Sequence, residues 1–127
     1  MTNSHAEKLP KESIFLKSFF LWRIQILSWT YRHIVEVSQA HDILPVWIFM
    51  PTLENPLRDE EIAHLKRVAE ESGFIVLDLS KAYDNQDLDS LVIAYWDKHP
   101  NAKGHQLIAD DLYHKLQEKE EEIPLFQ

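Results

Sequence analysis

At 127 residues and 45% hydrophobic content, the chain is long enough for one domain with a single core, and nothing in it marks a second. It carries 13 Lys and Arg against 21 Asp and Glu, and the net charge of -8 opposes the counterion release that draws proteins onto nucleic acid or anionic lipid. The absence of cysteine excludes disulfides, thiolate metal sites and a cysteine nucleophile; the compartment stays unknown, cytoplasmic by default.

Residues 1–12 are polar, with Pro10 near their end, and read as a flexible lead-in. Over residues 13–40 the pattern becomes helical, because Ile24, Leu27, Tyr31, Ile34 and Val35 recur at spacings of three and four with Arg23, Arg32 and Glu36 between them. Phe15, Phe19, Phe20, Trp22 and Trp29 make its first half apolar nearly all round. That composition predicts a helix buried by its own protein rather than one lying on a membrane, since its polar face is not consistently basic. Lys17, Arg23 and Gln25 interrupt "SIFLKSFFLWRIQILSWTY", and no small-residue cleavage site follows it, so neither a secretory signal nor a transmembrane helix is expected.

"ILPVWIFMP", residues 43–51, is a continuous apolar run of β-formers closed by Pro51, which predicts a strand covered on both faces, as in a parallel sheet. After the loop "TLENP", residues 57–72 place Ile62, Leu65 and Ala69 on one helical face, with Asp59, Glu60 and Glu61 in the first turn and Gly73 as the stop. "FIVLDLS", residues 74–80, is a second buried-type strand, and the order helix, strand, helix, strand points to α/β with parallel strands. Asp84 or Asn85 then caps a short helix through Leu91 and Tyr95. Asn101 caps a last helix over 102–118, where Ile108, Leu112 and Leu116 repeat every four residues. The domain thus covers 13–119, followed by a solvated acidic tail over 120–127.

"WDKHPNAKGH", residues 96–105, holds the chemistry. A hydroxyl nucleophile needs a base working near neutrality, which histidine supplies, and a carboxylate on the other ring nitrogen fixes the tautomer and stabilises the imidazolium. Asp97 and His99 are close enough in sequence to meet within one turn. Taken alone the pair is more simply an ordinary polar turn, with Pro100 shaping it and Asn101 only capping the next helix. His99, His105, Asp110 and His114 also offer metal-ligand types, with Asp110 and His114 one turn apart, but positions 110, 111 and 114 are more simply a solvated face. No metal is expected.

The stretch "DKHPNAKGHQLIADDLYHKL" resembles the C-terminal block of SGNH (GDSL-like) hydrolases, in which an Asp and a His precede Pro-Asn and open the last helix. "ILPVWIFMPTLE" looks like that family's fourth strand with the loop leaving it, and "GFIVLDLSKAY" like its fifth, so residues 30–116 follow the family's order. The resemblance implies a three-layer α/β/α flavodoxin-like fold, truncated here to its C-terminal strands and helices. It implies a serine ester hydrolase, an esterase or acyl hydrolase acting on small-molecule esters without metal or cofactor. His99 matches the base and Asp97 the acid, although two residues rather than the usual three separate them. Trp96, Thr52, Leu53 and Glu54 would line the substrate pocket.

No "GDS" and no "GxND" occurs in these 127 residues, so the nucleophile and oxyanion blocks are lacking. The expectation is a fragment or pseudoenzyme, inactive or nearly so alone. Its first strand would lack an inner neighbour and expose an apolar edge, predicting self-association as a homodimer or a partner chain that supplies the missing strands. The alternative is a non-catalytic binding module that completes a partner's sheet through that edge.

Overall fold

The computed structural model describes residues 11–124, with side chains from Trp22 onward. The chain is mixed α/β. Helix α1 covers Lys11–Ala40, β1 Val46–Phe49, α2 Asp59–Ser72 and β2 Ile75–Asp78; a 3-10 turn at Leu88–Leu91 leads into β3, Val92–Ala94, then β4, Asp97–Pro100, and α3, Ala102–Glu118. The expected lead-in falls at residues 1–10 outside the described residues, and α1 begins at Lys11, two residues before the periodic pattern.

β1 and β2 pair in parallel with Val46 opposite Ile75 and Phe49 opposite Asp78, as the two apolar runs predict. The crossover between them is α2, whose Ile62, Val68, Ala69 and Ser72 are buried. It ends where Gly73 takes φ 101°, a left-handed cap that glycine adopts without strain. α1 lies against α2 and the start of the sheet. Tyr31 meets Phe74 edge-on at 5.4 Å and accepts a 2.8 Å hydrogen bond from Trp47 Nε1, while Val35 closes over Gly73. A second core gathers Leu79, Tyr83, Leu91 and Ile108, with Leu53, Leu107 and Leu112 packed on it. This cluster ties α3 to the chain that follows β2. Full burial of each aliphatic side chain there contributes roughly 1.5–3 kcal/mol.

Three expectations are corrected. β1 is not covered on both faces: Ile48 is 42% exposed and Ile43, Leu44 and Met50 are exposed with it, because among the described residues β2 is the only strand paired with β1. The helix expected from Asp84 or Asn85 to Tyr95 is instead the 3-10 turn, capped by Asp87, and an antiparallel hairpin of β3 and β4. Asn85 takes φ 61°, a left-handed turn conformation. β-branched Val92 and Ile93 favour the strand, and the 3-10 turn has already placed Leu91 in the core. The tail is not wholly solvated. Its Ile123 is 4% exposed, held by a 2.7 Å hydrogen bond from its N–H to the Lys119 carbonyl. Among the described residues no helix is long and apolar enough to cross a membrane.

Candidate functional site

The site is built on β4 and the turn into α3. Ala94 stands opposite Asp97, so Tyr95 and Trp96 alone form the hairpin turn. Neither takes a positive φ, so the turn lacks the primed geometry that suits sheet twist, and the ladder between Val92 and Ala94 is correspondingly irregular. The other end is firmly fixed. Asn101 N–H donates to the Leu91 carbonyl at 2.7 Å, and its Nδ2 donates to Ser90 O at 2.9 Å and Val92 O at 3.1 Å. Its Oδ1 accepts from Lys103 N and Gly104 N at 3.0 and 3.1 Å, closing the open end of α3. One side chain therefore caps the helix and clasps the strand before it. The sequence reading found the cap and missed the clasp, which no local pattern reports.

Asp97 and His99 lie on β4, which pairs with the clasped β3. His99 Nδ1 is 2.6 Å from Asp97 Oδ1, which also accepts the backbone N–H of His99 at 3.1 Å. A carboxylate can only accept, so Nδ1 carries the proton and Nε2 is left as the basic atom. The hydrogen bond from the His99 ring, then that from its backbone, holds the Asp97 carboxyl below the usual aspartate range. The His99 side chain is 85% exposed, and its Nε2 makes no hydrogen bond among the described residues. The pair therefore has the orientation a general base requires.

The other expected residues are placed differently. Trp96 is 75% exposed and meets Tyr95, 81% exposed, edge-on at 4.4 Å. An aromatic pair at a two-residue turn has no core within reach. Leu53 packs on the buried cluster around Leu79 and is core rather than pocket lining. Thr52 donates to the Glu54 carbonyl at 3.0 Å, so both stay in the loop after β1, and neither bonds to Asp97 or His99 among the described residues. Described serine hydroxyls bond elsewhere, Ser72 to Val68 O, Ser90 to Asp87 O and Ser80 to the Asp78 carboxylate. A cavity of about 710 Å³ lies between α1 and α2, lined by Ile24, Leu27, Leu57, Leu65, Arg23 and Glu61, none of them residues of the Asp97–His99 pair. Among the described residues no group of three or more His, Asp or Glu is arranged to hold a metal ion, and Asp110 accepts from Gln106 at 2.7 Å.

No protein-family model, curated protein or solved structure matches this chain.

Proposed function

We propose that this chain carries the general-base half of an SGNH-like acyl-hydrolase site, with His99 as base and Asp97 as the acid that orients it. The observation that carries the reading is the 2.6 Å contact at Nδ1, which leaves an unpaired Nε2 on an exposed ring. In the reaction class this supports, Nε2 takes the proton of a serine hydroxyl as its oxygen bonds to an ester carbonyl carbon. Asp97 stabilises the imidazolium so formed. The same proton then passes to the alkoxide leaving group, and a water activated by Nε2 releases the acid. None of the 127 residues forms a GDS or GxND block, so the serine and the oxyanion donors would be supplied by another segment or partner, and the chain alone is inactive or nearly so.

Treatment of the purified chain with a fluorophosphonate, which captures activated serines, tests this directly. The expected result is no labelled serine in the wild type or in His99→Ala. A labelled serine that disappears in His99→Ala would place an activated nucleophile within the chain and contradict the half-site reading.

A second reading rests on β1. Among the described residues it pairs with β2 alone, and Ile48 within it and Ile43, Leu44 and Met50 beside it are exposed. Such an edge suits a binding module that adds its strand to a partner's sheet. That reading uses no catalytic residue, so His99→Ala leaves partner binding intact.

A further inference from the structure

The free edge of β1 is a defined row of backbone atoms. Ile75 N–H donates to the Pro45 carbonyl and Leu79 N–H to the Phe49 carbonyl, so Pro45, Trp47 and Phe49 turn their main-chain groups toward β2. Along a strand these groups alternate sides, and Val46, Ile48 and Met50 therefore turn theirs to the opposite edge. Among the described residues no strand pairs with that edge, and the N–H groups of Val46, Ile48 and Met50 make no hydrogen bond.

Proteins blunt such an edge with proline, lysine or other charge. None of these acts on β1. Pro45 turns its missing N–H toward β2, as its carbonyl shows, and Pro51 comes after the row, so neither interrupts it. No charged residue occurs between Asp42 and Glu54. Leu44, Ile48 and Met50 are exposed along the same stretch.

We propose, on the strength of the binding-module reading, that the occupant of this edge is β1 of a second copy of this chain, antiparallel, across a two-fold axis at Trp47. Such an edge is complementary to itself. The two-fold sets Val46 opposite the partner's Ile48 and Ile48 opposite the partner's Val46, and each pair exchanges two N–H···O bonds. It also sets exposed Leu44 beside the partner's exposed Met50, so the apolar residues meet one another. The neighbouring registers are poorer. A two-fold at Ile48 would oppose Leu44 to Thr52, and one at Val46 would oppose Met50 to Asp42. The result is a four-stranded sheet in the order β2, β1, β1, β2, past the two strands at which a sheet is marginal. The short edge and its neighbours bury on the order of 500 Å² per copy, the low end for a specific interface, so the dimer is reversible, with Kd on the order of 10 μM.

Residue-resolved hydrogen exchange of the full-length chain, well below and well above that Kd, tests the pairing. The Val46 and Ile48 amides are expected to exchange at least about tenfold more slowly at the higher concentration, while those of Trp47 and Phe49, which face β2 in either state, do not change. Sedimentation equilibrium is expected to show Kd raised at least about 100-fold in Ile48→Pro, which removes an edge amide but no bond to β2, with far-UV circular dichroism unchanged. Ile48→Lys, which keeps the amide and adds an edge charge, is expected to raise Kd at least about tenfold. A monomer at every concentration, with the Val46 and Ile48 amides in fast exchange, overturns the second copy as occupant and leaves the binding-module reading standing. Slow exchange of those two amides in the monomer would mean that the chain covers its own edge, and both then fall. A dimer undiminished in Ile48→Pro and Ile48→Lys overturns the proposal by placing association elsewhere.

Discussion

Asp97 Oδ1 receives two hydrogen bonds from one residue, the ring Nδ1 of His99 at 2.6 Å and its backbone N–H at 3.1 Å. The backbone bond sets the short turn, and the ring bond uses that turn to aim Nε2 outward. Both favour the ionised carboxylate, so Asp97 titrates below an ordinary aspartate. In His99→Ala the larger cause is removed, and the Asp97 carboxyl is expected to move back up toward the ordinary range. Carboxyl ¹³C shifts followed through an acid titration measure this; an unchanged midpoint would mean the ring contact is not made in solution.

Lys66 Nζ reaches across from α2 to Asp78 Oδ2, 2.6 Å away at the end of β2, while Ser80 N–H donates to the other carboxylate oxygen at 2.9 Å. Partial burial works against the charged Asp78, but the Lys66 and Ser80 hydrogen bonds outweigh it and hold its carboxyl below the usual range. A group depressed on folding stabilises above its unfolded pKa, and that contribution disappears as pH falls through the folded value. Urea unfolding should therefore show stability lost below about pH 4. Lys66→Met should cost about 1–2 kcal/mol at pH 7, between the exposed and fully buried limits for an ion pair, and should flatten the acid dependence.

Asn101→Ala removes a cap and two amide donors together, at an expected cost of about 2–3 kcal/mol. Asn101→Asp keeps the capping oxygen but turns a second acceptor toward the Ser90 and Val92 carbonyls. It should lose stability as well, which a cap-only role would not produce. Thermal unfolding of the two variants separates these contributions.

Gly104 sits where a methyl would lie 2.9 Å from Pro100 Cβ and 3.1 Å from the Leu91 carbonyl oxygen. Neither neighbour is a flexible side-chain end, so the backbone would have to shift. Gly104→Ala should destabilise by about 1–3 kcal/mol even though alanine favours helix over glycine by about 1 kcal/mol. A stabilised variant would mean that α3 and β4 are further apart than this.

The elements most legible in the sequence were those with a sustained period or a clean boundary. α2 runs from its acidic first turn to Gly73, and α3 begins at Asn101, both as their residues indicate. The two apolar runs gave parallel strands, but β1 is not covered on both faces and is shorter than its hydrophobic stretch, because residues such as Ile43, Leu44 and Met50 are apolar without being paired. The β3–β4 hairpin escaped for a physical reason. Its turn is Tyr95–Trp96 rather than a glycine or asparagine pair, so the usual punctuation is missing. Of the candidate site, the Asp97–His99 contact was legible because it is local. The positions of Leu53 and Trp96 depend on how distant segments pack, which spacing within one segment does not encode.

The most direct measurement is catalytic. Residues 30–127 would be joined behind the nucleophile-bearing and oxyanion-bearing segments of an active SGNH hydrolase, and p-nitrophenyl acetate turnover measured with and without substitutions at Asp97 and His99. The expected result is turnover that falls by at least about a thousandfold in His99→Ala and by a smaller factor in Asp97→Asn. Turnover in the chimera that survives His99→Ala undiminished would contradict the assignment of His99 as the base.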